Sequence, residues 1–419
     1  MLNNRWQAAD PSLAQRGQSF IRWTERRMPA LAAYKRELAE DNPLAGLTVS
    51  GSLHLTPETA ALARCLQAGG AQIVLSGSNP LSTRDEVCAS LVQHDGIPVF
   101  AYHGEDRDDY YQHLQAAASV HPDIVLDDGA DLIVCLAQSG APASLIGIEQ
   151  TTTGVQRLRS MEAAGALPFS VIALNDAPLK QEFDNPYGTG QNTIDGILRA
   201  TNILIAGKSA VVAGYGWAGR GIAARLRGCG AHVIVTEVNP VRALHAYYNG
   251  FRVMPLSQAV KIGDLFVTAT GCADVLSEAD LTKLKNGAVL ANAGHFDVEI
   301  DVAALERITV TKVEVRPHLT EYTLPSGKQI YVLAQGRLVG QSAAEASPAD
   351  IMDLTFTLMA MTVVWAARDS GSLPAKQVLL PPAEFTERVA SMKLAALELR
   401  HDRLTPAQEQ YLANWSSGT

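Results

Sequence analysis

The chain has 419 residues, of which 47% are hydrophobic and 18% are charged, enough to form large buried cores in two or three domains. Its formal net charge of −9 argues against nucleic acid or an anionic membrane as the main partner. The five cysteines are odd in number and lack CxxC spacing, which predicts reduced thiols in a cytoplasmic protein with no disulfide framework and no metal site.

Neither the N-terminal sequence nor the most apolar late segment predicts export or membrane insertion. The N-terminal sequence MLNNRWQAADPS lacks the apolar core of a signal peptide. The most apolar late segment, 351–367, contains Asp353 and several threonines, and it is too short and too polar for a membrane span.

The first half of the chain alternates between short apolar runs and helical stretches, which predicts a mostly parallel sheet covered by helices. Polar residues follow these runs, and open parallel sheets bind ligands at the carboxyl ends of their strands. We therefore predict a site there, although loops are polar in most proteins. The predicted strands are 47–53, 71–76, 98–102, 123–126, 145–148 and 170–174.

Segment 51–59, GSLHLTPET, places His54 just after a predicted strand. Thr56 fits the N-cap of the next helix, Pro57 its first position, and Glu58 its first turn, where a carboxylate complements the helix dipole. Capping accounts for Thr56 but not for His54, which is therefore a candidate for chemistry.

Segment 127–131, DDGAD, gathers three carboxylates after the fourth predicted strand. One of them can cap the following helix. Like charges this close push pKa values apart, so one carboxylate could act as a base near neutral pH.

Segment 175–185, NDAPLKQEFDN, places Lys180 four residues before Asp184. On a helix these side chains would touch, and from the residues alone a surface ion pair is the simpler interpretation.

The stretch 209–239 has the strand–turn–helix–strand order of a dinucleotide-binding site. Gly214 permits the tight turn, Gly216 lets a pyrophosphate approach the backbone at the helix N-terminus, and Gly219 lets the helix pack against the strand. Glu237 is placed to accept hydrogen bonds from the adenosine ribose diol, which favours NAD over NADP.

The chain is therefore predicted to be α/β, with two doubly wound, mostly parallel sheet domains and a C-terminal helical segment. The substrate-binding domain is predicted at 1–185 and completed by about 349–378, the Rossmann NAD-binding domain at 186–348, and the C-terminal segment at 379–419. Within the second domain, GHFDVEID presents His295 toward the shared crevice. The strands predicted there are 211–213, 233–235, 265–268, 288–290 and 308–315.

Taken together, these segments resemble the S-adenosylhomocysteine hydrolases, which are NAD-dependent adenosylhomocysteinases. The resemblance runs from about Arg27 to Trp415, and the spelling GYGWAGRG is similar to the shorter prokaryotic branch. The motifs that carry it are GSLHLTPET, NPLSTRDEV, DDGADL, TTTGVQRL, NDAPLKQEFDNPYG, IAGKSAVVAGYG, TGCADVL, GHFDVEID and GRLV at 336–339.

The resemblance implies a reaction in which tightly held NAD oxidises the 3′-hydroxyl of a nucleoside thioether. The ketone acidifies the 4′-proton, a base removes it, the 5′-thiol leaves, water adds, and the hydride returns. It also implies a homo-oligomer, a tetramer or a dimer, in which the last helix contacts a neighbour's cofactor domain. The extended tail of many members, which ends in a lysine–tyrosine motif, is not found in this sequence, which leaves that contact open.

The resemblance assigns roles residue by residue. Lys180 and Asp184 would handle the 3′-hydroxyl proton, which replaces the surface ion-pair interpretation, and Asn175 would orient the lysine. Asp128 would act at the 4′-carbon, and His54 with His295 would serve the departing sulfur and the incoming water. Implied NAD contacts are Thr151, Thr152, Thr153, Asn185 and Thr270, beside the glycine turn and Glu237, and implied substrate contacts are Thr56, Glu58, Gln150, Phe296 and Ser347.

Four positions depart from the family pattern. Gln150 stands where a glutamate is usual, Gly340 where an asparagine is usual, Ser347 in place of the histidine of a Gly-His-Pro loop, and Arg84 in place of a glutamine. The redox residues are intact while the purine and gate contacts differ, which indicates retained 3′-oxidation with an altered substrate preference. A missing histidine lid would also weaken water exclusion.

Three functions remain open at this point. The first is hydrolysis of S-adenosylhomocysteine or a close nucleoside thioether, such as the inosine analogue. The second is a divergent paralogue that uses the ribose oxidation for epimerisation, dehydration or oxidation of another nucleoside. The third, an inactive binding protein, is disfavoured because the residues assigned to catalysis are retained.

Overall fold

The structure is a computed structural model that describes residues 10–416. Most of the N-terminal sequence considered for a signal peptide, and the last three residues of the predicted C-terminal segment, lie outside the described residues. Two sheets with helices on both sides form the framework, and the predicted α/β class is confirmed.

The first part of the chain builds most of one sheet, and its strands follow the predicted apolar runs to within two residues at most ends. Its elements are α1 (Ala14–Glu25), α2 (Pro29–Asp41), β1 (Thr48–Leu53), α3 (Pro57–Ala68), β2 (Gln72–Gly77), α4 (Asp85–Asp95), β3 (Val99–Phe100), α5 (Arg107–Ala118), β4 (Ile124–Asp127), α6 (Asp131–Gln138), β5 (Ile146–Glu149), α7 (Thr152–Ala163) and β6 (Ser170–Ala173).

A continuous helical passage then leads to the second sheet, so the predicted domain limit at 185/186 falls inside a helix. This passage is a π-helix, Lys180–Thr189, followed by α8 (Gly190–Thr201). The next elements are β7 (Ser209–Ala213), α9 (Trp217–Gly228), β8 (His232–Thr236), α10 (Pro240–Tyr248), β9 (Arg252–Val253), α11 (Leu256–Ala259), β10 (Leu265–Thr268), α12 (Glu278–Leu281), β11 (Ala288–Asn292), α13 (Val302–Arg307), β12 (Thr311–Arg316), β13 (Leu319–Thr323), β14 (Gln329–Leu333) and α14 (Val339–Ser342).

The chain then returns to the first sheet. The remaining elements are α15 (Ala349–Asp369), β15 (Val378–Leu379), α16 (Ala383–Ala396) and α17 (Pro406–Leu412). The capping box at Thr405 forms as the sequence predicts, with Thr405 and Gln408 bonded to each other's backbone. Val389 of α16 is buried in the core beside the first sheet, so this helix packs on that core.

Parallel pairing brings the strand ends together. The first sheet has the order β15-β6-β5-β4-β1-β2-β3, and the second has the order β12-β13-β14-β11-β10-β7-β8-β9. In the first sheet, Ser52, Asp127 and Glu149 are cross-strand partners, so the loops that follow β1, β4 and β5 leave from the same edge.

The second sheet differs from the prediction at both edges. At one edge lies the short strand β9, which was not predicted, and the larger difference is at the other edge. The strand predicted at 308–315 begins at Thr311 and continues into an antiparallel hairpin with β13 and β14, neither of which was predicted. β12 is exposed along its whole length, so the periodic burial that marks a strand is absent there.

Helix α15 is long and apolar enough to cross a membrane by length and composition, but 83% of its apolar window is buried within the protein. It is a core helix, apolar on all sides because protein surrounds it. Its Asp353 is fully buried, accepts hydrogen bonds from the backbone amides of Ala30 and Leu31, and pairs with Lys393 of α16 at 2.8 Å.

Candidate active site

A cavity of about 1030 Å³ lies where the two sheets turn their carboxyl ends toward each other. Residues that follow β1, β4, β5 and β6 line one side, and residues that follow β7, β8, β10 and β11 line the other. The predicted residues on its wall are His54, Thr56, Asp128, Gln150, Thr151, Thr152, Thr153, Asn175, Lys180, Asp184, Asn185, Gly214, Gly216, Glu237, Thr270, His295 and Ser347.

Three predicted contacts lie off the cavity wall. Gly219 sits behind the turn, because the start of α9 packs against the carbonyl of Gly214. Glu58 is buried in the first turn of α3. Phe296 packs edge-on against His295, with ring centroids 4.6 Å apart, so it supports that imidazole from behind.

The acid–base centre of the cavity consists of His54, Asp128 and His295. Oδ1 of Asp128 lies 3.7 Å from Nε2 of His54 and 3.2 Å from Nδ1 of His295. Nδ1 of His54 lies 2.7 Å from the hydroxyl of Ser82, which fixes the orientation of that ring. Gln150 donates a further hydrogen bond to Asp128. The three groups come from β1, β4 and β11, so both sheets are needed to assemble them.

Burial and charge separate the protonation of these three groups. Burial would raise the pKa of Asp128, but attraction to His54 and the hydrogen bonds with His295 and Gln150 hold that pKa well below its usual range. Burial lowers the pKa of His54 to about 4. Burial also opposes the charging of His295, yet its hydrogen bond with Asp128 raises its pKa above the usual value.

Two further carboxylates bind the backbone around Asp128, and the sequence did not predict this supporting role for either of them. Asp127 accepts hydrogen bonds from the amides of Asp128 and Ile133, so it is the acid of the DDGAD segment that binds a first-turn amide of α6, although Ala130 holds the N-cap position. Glu149 accepts from the amides of Gly129 and Thr151. Burial raises the pKa of both groups, that of Glu149 to about 7.

Lys180 and Asp184 form a buried ion pair on the cavity wall, so the interpretation as a surface pair is wrong. Their side chains are 11% and 2% exposed, and both belong to the π-helix, a wider helical turn that is common at functional sites. Thr355 of α15 donates a second hydrogen bond to Asp184 at 3.2 Å. Asn175 accepts hydrogen bonds from Thr152 and Asn185.

The glycine turn fits a dinucleotide. Gly214 has a φ of +96°, a conformation that residues with a Cβ rarely adopt, and a Cβ there would lie 2.6 Å from the carbonyl of Ala269. Gly216 forms the N-cap of α9 and faces open space, so a phosphate group can approach its backbone. Glu237 accepts hydrogen bonds from the amides of Tyr215 and Asn239, which holds its carboxylate beside the turn.

Thr270 is held by Glu299, another support that the sequence did not reveal. The Glu299 carboxylate accepts hydrogen bonds from the amide and hydroxyl of Thr270 and from the amide of Gly271. The loop after β10 is thereby fixed against the dinucleotide side of the cavity.

The positions that depart from the family pattern have local explanations. Gly340 packs against the amide of Asn192, which leaves no room for a side chain at 340. Asn192 also donates to the hydroxyl of Ser347 at 3.3 Å. Arg84 donates to the carbonyl of Ala344, so it joins α4 to the segment that leads into α15.

The fold and the cavity define an NAD-binding enzyme in which acid–base residues from two sheets face a dinucleotide turn. The sequence models of the family agree: S-adenosyl-L-homocysteine hydrolase matches residues 5–144, and its NAD binding domain matches residues 185–346. The chain belongs to the S-adenosyl-L-homocysteine hydrolase family. The predictions of a hydrolase and of NAD as its cofactor are confirmed.

Relatives match this chain over almost its full length. It is 50% identical to the adenosylhomocysteinase of Saccharolobus solfataricus and 51% identical to that of Aquifex aeolicus, in each case over 98% of this chain and 99% of the relative. It is also 48% identical to the S-inosyl-L-homocysteine hydrolase of Methanopyrus kandleri, over 98% of this chain and 97% of the relative. Overall similarity therefore does not separate the two purine bases.

Proposed function

We propose that this chain hydrolyses the thioether of S-adenosyl-L-homocysteine to nucleoside and homocysteine, through a 3′-keto intermediate and elimination. The observation that carries the proposal is that one cavity holds the Lys180–Asp184 pair, the His54–Asp128–His295 centre and the dinucleotide turn. A hydrolase that must oxidise, deprotonate and cleave one small molecule needs these three parts within reach of a single ribose.

When bound, NAD supplies reversible oxidation of a ribose hydroxyl. Lys180 and Asp184 are the groups that move the proton of that hydroxyl: once Lys180 has passed a proton to the Asp184 carboxylate, its free amine can accept the hydroxyl proton and later return it. Thr355 keeps Asp184 in place, since it donates to the oxygen that Lys180 also contacts.

Asp128 is the base at the 4′-carbon. Its lowered pKa keeps it ionised, and its burial places the charge in a site where water competes weakly for it. His295, with its raised pKa, holds a proton for the departing thiolate, and His54, neutral down to about pH 4, accepts a proton from the incoming water. These roles use opposite protonation states of two imidazoles that share one carboxylate.

S-inosyl-L-homocysteine is the second candidate substrate, because the relative from Methanopyrus kandleri bears that name and matches this chain almost as well as the adenosylhomocysteinases. The paralogue with a different reaction is not favoured, because the relatives that match the full chain are thioether hydrolases.

We also propose a cytoplasmic homo-oligomer, a tetramer or a dimer, in which α17 packs on the cofactor domain of a neighbour. Both faces that this contact needs are apolar and exposed. Tyr411, Leu412 and Trp415 at the C-terminal end are each more than 60% exposed, as are Tyr247 and Tyr248 of α10. Exposed apolar patches of this kind mark interaction sites.

The test is to mix the NAD-loaded protein with adenosine, inosine and their homocysteine thioethers, and to record reduced nicotinamide and free thiol together. Reduction with thiol release from S-adenosyl-L-homocysteine supports the proposal. Reduction without thiol release would assign the ribose oxidation to other chemistry, and no reduction with any of the four would contradict the proposed substrate class.

A further inference from the structure

Three acceptor atoms on the cavity wall are buried and have no hydrogen-bond partner among residues 10–416. They are Oε1 of Gln150, Oδ1 of Asp184 and Oε1 of Gln341. A buried acceptor without a partner costs free energy, so such atoms in a cavity mark positions where a ligand donates. Three acceptors therefore indicate three donor groups on the bound molecule.

Two of these acceptors belong to groups already assigned. Asp184 pairs with Lys180, and Gln150 donates to Asp128, so both lie beside the ribose chemistry. Gln341 belongs to neither group. It lies in α14, directly after Gly340, and its amide is the polar group that α14 presents to the cavity. Gly340 and its neighbour Asn192 pack against each other and do not line the cavity.

The surroundings of Gln341 suit a flat ring. Leu338, Met352 and Phe356 line the same cavity and carry no titratable group. Met352 and Phe356 lie one turn apart on α15, and Thr355 between them reaches Asp184. This stretch of wall is thus next to the 3′-hydroxyl machinery. Once the ribose and the dinucleotide occupy their own positions, this apolar wall is where the base of the nucleoside fits.

We propose that Gln341 recognises the edge of the base and selects a 6-aminopurine over a 6-oxopurine, an inference that rests on the proposed function. On the N7 edge of adenine a glutamine amide can make two hydrogen bonds, since Oε1 accepts from the 6-amino group and the amide nitrogen donates to N7. A 6-oxopurine presents two acceptors on that edge, O6 and N7, so in either orientation of the amide Oε1 is left without a donor in a buried site.

The experiment compares kcat/KM for S-adenosyl- and S-inosyl-L-homocysteine in the wild type and in Gln341→Leu. We expect the wild type to prefer the adenosyl substrate and the variant to lose about 10-fold or more of that preference, the range for one two-point amide–adenine pair. Gln341→Met, unbranched and similar in length, is the second variant and should show the same loss if leucine packs poorly. Gln115→Leu, on the exposed face of α5, is the matched control and should leave the ratio unchanged.

A wild-type preference for the inosyl substrate, or a ratio that changes less than about twofold in both variants, would overturn the assignment. So would release of NAD from both variants with no change in the ratio, because Gln341 would then hold the cofactor. Adenosine and inosine affinities of the NAD-loaded protein, measured by calorimetry, test the same selectivity without thiol release. If neither thioether is cleaved, the proposed function fails, and the affinity ratio still decides the role of Gln341.

Discussion

Gly340 and Asn192 share one space: the amide of Asn192 occupies the position that a Cβ on residue 340 would take. A side chain at either position excludes one at the other, so the glycine at 340 and the asparagine at 192 form a pair. The hydrogen bond from Asn192 to Ser347 extends this pair to a third position where the chain departs from its family pattern.

Replacing Gly340 with alanine should therefore destabilise the protein by about 1–3 kcal/mol, the usual cost of overpacking a core. Chemical denaturation measures this cost. The double variant Gly340→Ala with Asn192→Gly should recover part of it, because the overlapping side-chain amide is removed while the backbone carbon of residue 192 still lies 2.9 Å from the new Cβ. Gly371→Ala is the control, since a Cβ there meets no atom within 4 Å. Equal stability of the two alanine variants would contradict the shared-space relationship.

Replacing Lys180 with alanine should reduce the rate of NAD reduction by adenosine about 10²- to 10⁴-fold, the contribution of a positioned proton-transfer group. The measurement is absorbance of the reduced nicotinamide after mixing, with far-UV circular dichroism to show that the fold is intact. Lys261→Ala, on an exposed residue that does not line the cavity, is the control. Reduction at the wild-type rate in the Lys180 variant would remove Lys180 from the mechanism.

The activity should fall as the pH rises through the raised pKa of His295, because the proton held for the thiolate is then lost. Asp128 causes this shift, so Asp128→Asn should move the alkaline limb of the residual thiol release toward lower pH, beside the large loss of rate expected for the base. The measurement is the pH profile of thiol release from S-adenosyl-L-homocysteine between about pH 5 and 9. An alkaline limb that stays in place in Asp128→Asn would show that another group controls it.

His295 and Asp128 also affect the free energy of unfolding, and their contributions depend on pH in opposite directions. The folded pKa of His295 is raised, so its contribution is complete below the unfolded value and is lost as the pH rises through the folded one. The folded pKa of Asp128 is lowered, so its contribution is present above the unfolded value and is lost as the pH falls. Stability measured by denaturant should therefore decline on both sides of the weakly acidic to neutral range, and His295→Gln should flatten the alkaline side.

Replacing Tyr411 and Leu412 with aspartate should weaken the proposed assembly, because charges would enter an apolar contact. Sedimentation velocity of the full chain measures the shift toward smaller species. Glu409→Gln on the same helix is the control, since it leaves the apolar residues in place. Identical distributions for the double variant and the wild type would show that α17 takes no part in assembly.

The strand ends were the part of the site that could be predicted from the residues. His54, Asp128 and His295 each follow an apolar run, and parallel pairing necessarily gathers such positions at one edge. The roles given to them came from the family resemblance, and they remain predictions.

What could not be predicted depends on contacts between distant parts of the chain. Glu149 and Glu299 act on backbone amides, which leaves no pattern in side-chain spacing. The packing of Asn192 on Gly340 joins residues from different elements. In the sequence, Gln341 cannot be distinguished from a glutamine on the protein surface. Only the structure shows that it lines the cavity and that its Oε1 is buried. Strands β13 and β14 form an edge hairpin whose partial exposure weakens the apolar signal.

Helix α15 connects the end of the chain to the reaction. Asp353 is fixed by Lys393 of α16 and by the start of α2, and Thr355, two residues further on, holds Asp184. A helix advances about 1.5 Å per residue and resists stretching, so α15 keeps a fixed distance between Asp353 and Thr355. A partner that displaced α16 would therefore shift the helix that supports Asp184, which would couple the C-terminal face of the protein to the Lys180–Asp184 pair.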